Sequence, residues 1–404
     1  MARILPTIIT HPYRNKVCIF PTEEACDMST SDINSIIRRN PYSFNNILYK
    51  PYIKRLEGIK KYNAIKRQYL KFKKNQIIRV DENPSYFIYN IIDNEKNEFV
   101  GIIAKIPHAE YAQKKVIKME KSDPDIVEEK YNLLKNTGFV SKPLTVIHEE
   151  IPLIDEIIAK YKSKIPLYEF TRNNGFIHEV WQILDPEDIS LIEEAYAQTK
   201  RFYIVDDNDR FEALHRIYQE KTNDLQETHS GLEAYNFFPA FLISNKQVKI
   251  HEYKKGIPPD YPKEIDEVMA MLEKDFNLEE IHDYNQPEKG EILLYSLEGK
   301  FKLRRKKHIP EHLPDATVFE KYILPAISLE NQLLQPNTLK YCSGKRSTKC
   351  VENHLNKGNC KFGFIIKPID FEDIKKTSDQ KIQIPYKSIY VEPRLLRGLF
   401  IYEV

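Results

Sequence analysis

The sequence of 404 residues is poor in glycine and contains no long hydrophobic run. Its 12 glycines are less than half the number that the average usage of ~7% would give for this length. We find neither a Walker-type nor a Rossmann-type glycine motif. No apolar run approaches the ~18 residues that a bilayer-spanning helix needs. Five cysteines are too few for a disulfide scaffold. We therefore expect a soluble, cytoplasmic protein with reduced thiols and no membrane association.

The sequence also lacks an excess of charge of one sign. Lys and Arg total 61 against 59 Asp and Glu, a formal charge of +2. A protein built to hold nucleic acid is usually far more basic, so nucleic acid is not an expected partner. Hydrophobic residues make up 41% of the chain and charged residues 30%. That mixture can form a core and excludes wholesale disorder.

Helix and strand patterns follow one another irregularly. The clearest hairpin joins Leu167–Thr171 to Phe176–Leu184 through a turn at Asn173-Asn174-Gly175. Asp185 then caps a helix that has proline at its first position. Hairpins without regular strand–helix–strand alternation favour an α+β fold with mixed sheets. The proline-rich segment Gly256–Pro262 is the predicted connector between domains.

One acidic run stands between a predicted strand, Arg201–Val205, and a predicted helix, Arg210–Lys221. Asp206, Asp207 and Asp209 place three carboxylates within four positions, and oxygen ligands of this kind can hold Mg²⁺. The spacing alone favours a simpler interpretation. Acidic side chains at a helix start ordinarily cap the helix and complement its dipole.

A second group combines cysteine and histidine. Cys342, Cys350, His354 and Cys360 lie close together in the sequence. Zinc prefers paired ligands two to four residues apart, and we identify no such pair in the group from its spacing. We therefore favour reduced thiols in an irregular loop over a zinc site.

The C-terminal residues 384–398 read I-P-Y-K-S-I-Y-V-E-P-R-L-L-R-G. They resemble the closing M-P-P-K-S-T-Y-x-x-P-K-L-x-S-G signature of the domain of unknown function 1015 family. Further segments resemble that family in the same order along the chain: Asn40–Phe44, Pro84–Tyr89, Phe99–Ala104, Thr137–Phe139 and Tyr235–Phe238.

This resemblance implies a fold and a chemistry. It implies a ParB/sulfiredoxin-like α+β region over residues 76–255, after a helical and extended segment at 1–75. A packed C-terminal α+β region would cover 256–404. Some ParB-like relatives are free-serine kinases, so the resemblance implies ATP or ADP with Mg²⁺, a small-molecule ligand and a link to serine metabolism.

The resemblance also assigns roles to individual residues. Two would be catalytic (Glu120 and Asp206), three would bind phosphate (Arg210, Lys387 and Ser388), and two would hold the metal (Asp206 and Asp209). The family's D-G-H-H-R motif appears here as D-D-N-D-R over residues 206–210. Its glycine has become Asp207 and both of its histidines are lost.

These changes bear on activity. Phosphoryl transfer needs positive charge around the transferred group. The loss of one electrostatic donor commonly lowers the rate by ~10²–10³. We therefore expect reduced phosphotransfer to a small hydroxyl metabolite. The alternative is a non-catalytic paralogue that binds a metabolite or a protein.

Overall fold

A computed structural model describes residues 3–24, 28–224, 230–282, 286–329, 334, 338–342 and 349–404. The chain forms two compact units. Unit 1 comprises Met1–Lys118, Pro124–Val248 and Pro393–Val404, and unit 2 comprises Met119–Asp123 and Lys249–Glu392. The main division thus follows Val248, whereas the sequence suggested residue 255.

The α-helices of the described residues vary from single turns to five turns. In chain order they are α1 (Thr30–Arg39), α2 (Asn45–Leu48), α3 (Pro51–Lys54), α4 (Gly58–Lys74), α5 (His108–Ala112), α6 (Pro124–Thr137), α7 (Pro152–Lys162), α8 (Pro186–Ala197), α9 (Asn208–Thr222), α10 (Ile265–Leu272), α11 (Asp315–Val318), α12 (Leu324–Ile327), α13 (Lys349–Asn356) and α14 (Phe371–Asp379).

The strands of the described residues are mostly short. In chain order they are β1 (Thr10–Pro12), β2 (Ile78–Val80), β3 (Tyr86–Ile92), β4 (Glu98–Pro107), β5 (Val116–Lys118), β6 (Phe139–Val140), β7 (Leu144–His148), β8 (Tyr168–Thr171), β9 (Ile177–Ile183), β10 (Phe202–Ile204), β11 (Phe237–Ser244), β12 (Lys249–His251), β13 (Lys254–Ile257), β14 (Phe276–Glu280), β15 (Glu291–Tyr295), β16 (Lys300–Arg305), β17 (Lys340–Cys342), β18 (Phe362–Ile366), β19 (Tyr390–Glu392) and β20 (Tyr402–Glu403).

Unit 1 is organised around an eight-stranded sheet of order β5-β10-β7-β11-β4-β3-β9-β8. The β10–β5 and β11–β7 pairs are parallel, and the other pairs are antiparallel. The predicted hairpin is confirmed as β8–β9, and Gly175 has a φ of +85° in its turn. The central strands β3 and β11 are buried almost throughout, so this sheet forms the core of the unit. Mixed sheets with hairpins and helices confirm the α+β class.

Helix starts in unit 1 follow the capping signals of the sequence. Ser29 and Asp32 form a reciprocal capping box at the start of α1. The Asp185 carboxylate accepts the N–H of Glu187, and Pro186 occupies the first position of α8. The start of α8 confirms the prediction made from Asp185 and the proline that follows it.

Unit 2 contains a six-stranded antiparallel sheet of order β14-β16-β15-β18-β13-β17. The prediction of a connector over Gly256–Pro262 is wrong at its start, because Gly256 is an interior residue of β13. Gly256 pairs with Lys340 on one side and with Gly363 on the other. A Cβ added at Gly256 would lie 3.1 Å from Cys360 Cβ. Glycine therefore serves close packing within the sheet here and is not part of a flexible link.

None of the helices in the described ranges is both long enough and apolar enough to cross a membrane.

Candidate functional site

Asp206 and Asp207 lie between β10 and α9, as the sequence predicted, whereas α9 already begins at Asn208 and includes Asp209. Asp207 occupies the N-cap position of α9 with φ +61° and ψ +36°, in the left-handed region. The family motif has glycine at this position, and glycine adopts that conformation without steric cost. Aspartate tolerates it better than most residues do. The Asp207 side chain makes no capping hydrogen bond, so the capping interpretation does not apply to this residue.

The acidic run instead joins a cluster of charged side chains in unit 1. Lys142 lies in the loop between β6 and β7, and its side chain is only 1% exposed. Its Nζ lies 2.8 Å from Glu24 Oε1 and 3.1 Å from Asp206 Oδ2. The same ammonium lies 2.8 Å from Asp207 Oδ2. One buried cation therefore holds three carboxylates.

Two arginines also belong to this cluster. Arg210 Nη1 lies 2.8 Å from Asp207 Oδ2, and Arg394 Nη1 lies 2.8 Å from Asp206 Oδ1. We call the following set the buried ion cluster: Glu24, Lys142, Asp206, Asp207, Arg210 and Arg394.

Opposing charges outweigh the cost of burial in this cluster. Burial alone would raise the pKa of Glu24, but Lys142 beside it holds that pKa at about 2. Burial acts on Asp207 in the same sense, and Arg210 and Lys142 keep its pKa well below the usual range. The pKa of Lys142 is raised, because the attraction of its three carboxylates exceeds the effect of burial. Glu24, Asp207 and Lys142 are therefore charged at neutral pH.

Sequence reasoning found Asp206 and Arg210 but missed Glu24, Lys142 and Arg394. Arg394 lies in the C-terminal signature, so the resemblance could have indicated it. Glu24 and Lys142 carry no local motif, and only the fold brings them to the acidic run. Asp209, the second predicted metal ligand, lies in the first turn of α9. Its metal role stays a prediction.

The other predicted site residues belong to unit 2. Glu120 is buried, and its Oε1 accepts the backbone N–H groups of Ser388 and Ile389, both at 2.6 Å. An isolated parallel bridge between Glu120 and Ile384 brings these segments together. Two charge-assisted hydrogen bonds of this length hold the C-terminal signature in place. Glu120 therefore has a structural role whatever its chemistry.

Lys387 has a φ of +50°, in the left-handed region. Its carbonyl oxygen accepts a hydrogen bond of 2.9 Å from Nζ of Lys255. Its own ammonium lies 4.9 Å from the centre of the Tyr341 ring. Burial lowers the pKa of Lys255 to about 8, against the opposing influence of Glu120 and Glu320. Lys255 thus lies beside the signature as a buried lysine that loses its proton easily.

A small cavity in unit 2 adjoins this loop. Lys255, Ser388, Tyr253 and Asp315 are among its lining residues, and its free volume is about 20 Å³. The Ser388 hydroxyl is buried and makes no hydrogen bond within the described residues. A space of this size holds roughly one water molecule. Any larger ligand would require the loop to move.

The cysteine and histidine group is more regular than the sequence suggested. Cys342 ends β17, while Cys350 and His354 lie on α13, so the irregular loop expected here is in part a strand and a helix. One ligand atom each from Cys342, Cys350 and His354 lies within 4.8 Å of the other two. The spacing of four between Cys350 and His354 was the missed signal, because it puts both side chains on one helix face. Cys360 is buried nearby.

Known structures resemble the chain weakly. SbnI with a C-terminal truncation from Staphylococcus aureus aligns with a TM-score of 0.42 and 11% identity, over 73% of this chain and 85% of that one. A conserved hypothetical protein from Pyrococcus furiosus gives a TM-score of 0.41 and 13% identity, over 75% and 94%. A free serine kinase in complex with AMP gives 0.41 and 15%, over 75% and 91%.

No curated protein matches the sequence. A family model described as a protein of unknown function, DUF1015, matches residues 20–329. This range covers most of the 404 residues and includes the acidic run, Lys142 and Glu120. The chain belongs to the DUF1015 family.

Proposed function

We propose that this chain is a non-catalytic member of the DUF1015 family that acts as a binding module for a protein or a small metabolite. The observation that carries the proposal is the buried ion cluster. Nζ of Lys142 already has three carboxylate partners, at 2.8, 3.1 and 2.8 Å. In this chain the motif loop stabilises unit 1 and does not take part in phosphoryl transfer.

The electrostatics of the loop support this proposal. A phosphate site needs cations whose charge is available to the ligand. Lys142 and Arg210 both contact the carboxylate of Asp207, a residue that replaces the family's glycine. An incoming phosphate would have to displace Asp207 and leave a buried carboxylate without its partners. Breaking a buried pair in this way costs about 3–5 kcal/mol.

The acidic run also disfavours anions directly. Asp206 and Asp207 are adjacent, and Glu24 lies against the same lysine. Within the buried ion cluster these three carboxylates offset the charges of Lys142, Arg210 and Arg394, so little positive charge is left for a phosphate. These carboxylates therefore weaken the attraction that a phosphate would otherwise find in this loop.

Unit 2 supplies an observation in favour of a second function, nucleotide-dependent phosphotransfer to a small hydroxyl metabolite such as serine. Lys255 and Lys387 lie at the C-terminal signature, and the Ser388 hydroxyl makes no hydrogen bond within the described residues. In that function Glu120 and Asp206 would be catalytic, with Mg²⁺ held by Asp206 and Asp209. Arg210, Lys387 and Ser388 would bind the phosphates of ATP or ADP.

Calorimetry separates the two functions. ATP and ADP, each with Mg²⁺, are titrated into the wild-type chain and into Asp206→Ala. Glu212→Gln, which removes an exposed carboxylate from α9, is the matched control. We expect no binding heat from the wild type. Micromolar nucleotide affinity that Asp206→Ala abolishes and Glu212→Gln retains would overturn the proposal, and a serine phosphorylation assay would then follow.

A positive result is needed for the binding function itself. Thermal unfolding of the wild type is therefore followed against small metabolites that carry hydroxyl, amino or carboxyl groups, with free serine among them. A ligand at 100 times its dissociation constant stabilises the folded state by ~2.7 kcal/mol. A stabilising metabolite without nucleotide affinity would support the binding module.

A further inference from the structure

The cysteine and histidine group in unit 2 lies outside the proposed function and carries an inference of its own. Its members come from two elements. Cys342 is the last residue of β17, and Cys350 and His354 lie one turn apart on α13. One ligand atom from each lies within 4.8 Å of the others.

We propose that Cys342, Cys350 and His354 bind a zinc ion, with Cys360 as the fourth ligand. In a tetrahedral site with Zn–S distances of ~2.3 Å, ligand atoms lie roughly 3.8 Å apart. Separations within 4.8 Å come close to that geometry, so small side-chain rotations suffice to enclose the ion. Two thiols and an imidazole select zinc over Mg²⁺ or Ca²⁺, which prefer oxygen ligands.

Cys360 lies close to these three residues, outside the group whose ligand atoms are within 4.8 Å of one another. It follows α13 by four residues and is buried. Its Sγ lies 3.5 Å from the position that a Cβ on Gly256 would take. Gly256 belongs to β13, the direct neighbour of the strand that carries Cys342. The absence of a side chain at Gly256 thus leaves room for Cys360 beside β17.

The imidazole has a neighbour that can orient it. The amide nitrogen Nδ2 of Asn359 lies 3.3 Å from Nδ1 of His354. Zinc-bound histidines usually donate their second ring N–H to a carbonyl, carboxylate or water, and this contact fixes the tautomer. Reversing the amide would bring its oxygen to Nδ1, where Asn359 would accept that proton and leave Nε2 for the metal.

The fold gives the ion a structural role. β17 is a three-residue edge strand that pairs only with β13 among the described strands. α13 packs on the sheet through Val351 and Leu355, which contact Leu293 and Tyr295 in one apolar cluster. A zinc ion would tie Cys342 at the sheet edge to this anchored helix. Four protein ligands leave no open position, which is typical of a structural and not a catalytic zinc site.

The test uses the full-length chain, purified with zinc and a reductant. Zinc per chain is measured by mass spectrometry. The metal is then removed by a chelator and replaced by Co²⁺, whose visible bands report tetrahedral geometry and whose sulfur-to-metal charge-transfer band reports the thiolate ligands. Cys350→Ser, His354→Gln and Cys360→Ser remove one ligand each. Cys18→Ser, which changes an exposed cysteine in unit 1, is the matched control.

We expect one zinc per wild-type chain, a tetrahedral Co²⁺ spectrum, and the same results for Cys18→Ser. Each ligand variant should lose affinity by more than the ~10–100-fold that an outer-shell partner contributes. Cys350→Ser and Cys360→Ser should weaken the charge-transfer band, while His354→Gln should keep it. The proposal is overturned if the wild type contains no zinc and gives no tetrahedral Co²⁺ spectrum. This result does not depend on whether the ligand variants fold. A Cys342–Cys350 disulfide in metal-free protein also overturns it, and an unchanged Cys360→Ser spectrum removes Cys360 as a ligand.

Discussion

The ammonium of Lys142 lies 2.8 Å from the carboxylate of Asp207, at the position where the family motif has glycine. The Asp207 carboxylate thus provides the negative charge that a bound phosphate would otherwise bring to this loop. Because both groups are buried, their attraction is much stronger than that of a surface pair, and so is the cost of separating them.

Lys142→Met tests how much the buried ion cluster contributes to folding. The substitution leaves Glu24, Asp206 and Asp207 without their shared cation, so we expect the free energy of unfolding to fall by about 3–5 kcal/mol. Urea unfolding measures this change. The control is Lys246→Ala, which breaks an exposed pair with Glu150 and should cost about 0–1 kcal/mol. Equal effects of the two substitutions would contradict a structural role for the cluster.

Asp207→Gly should restore some affinity for phosphate. The variant keeps the left-handed backbone without strain and frees Lys142 and Arg210 from a competing carboxylate. Thermal unfolding with and without inorganic phosphate measures the gain. Phosphate at ten times its dissociation constant would stabilise the variant by about 1.4 kcal/mol.

Asp207→Ala is the matched control for that measurement. It removes the same carboxylate but keeps a Cβ at φ +61°, so it should be about 1–2 kcal/mol less stable than Asp207→Gly. A phosphate effect on the wild type as large as on Asp207→Gly would show that the carboxylate does not block the site.

Acid should destabilise the chain through Glu24. Its pKa is about 2 in the folded chain against an ordinary value of 4.5. The contribution of ionised Glu24 to the free energy of unfolding is therefore complete above pH 4.5. It declines as the pH falls below that value and is lost near pH 2. It amounts to about 3 kcal/mol. Urea unfolding at pH 7, 4 and 3 follows the loss.

Glu24→Gln isolates this contribution, because the amide does not titrate. The loss of stability between pH 4.5 and pH 2 should be smaller in this variant than in the wild type. Glu150→Gln, which changes an exposed carboxylate, should leave the pH dependence unchanged. If Glu24→Gln loses as much stability at acid pH as the wild type does, other carboxylates cause the loss.

Glu120→Ala should loosen the C-terminal signature. The N–H groups of Ser388 and Ile389 lose a charged acceptor, and hydrogen bonds to charged groups contribute ~1.5–3 kcal/mol each. We expect faster hydrogen exchange at these two amides and lower stability of unit 2. Glu120→Gln keeps a carbonyl oxygen and should show a smaller effect. Unchanged exchange in Glu120→Ala would argue against the structural role.

The sequence by itself determined the features that depend on neighbouring residues. The Asn174-Gly175 turn placed the β8–β9 hairpin, and Asp185 with Pro186 placed the start of α8. These signals are local, because a turn or a cap needs only a few adjacent residues. The C-terminal signature likewise identified the family that the family model then confirmed.

Only the tertiary structure decided what these residues contact. Glu24, Lys142 and Arg394 join the acidic run from distant parts of the sequence, and Glu24 and Lys142 carry no local pattern. The strand and helix that bring Cys342 to His354 are likewise joined by folding. Charge pairing and metal coordination depend on distances in space, and a one-dimensional pattern records those distances only where the partners are neighbours along the chain.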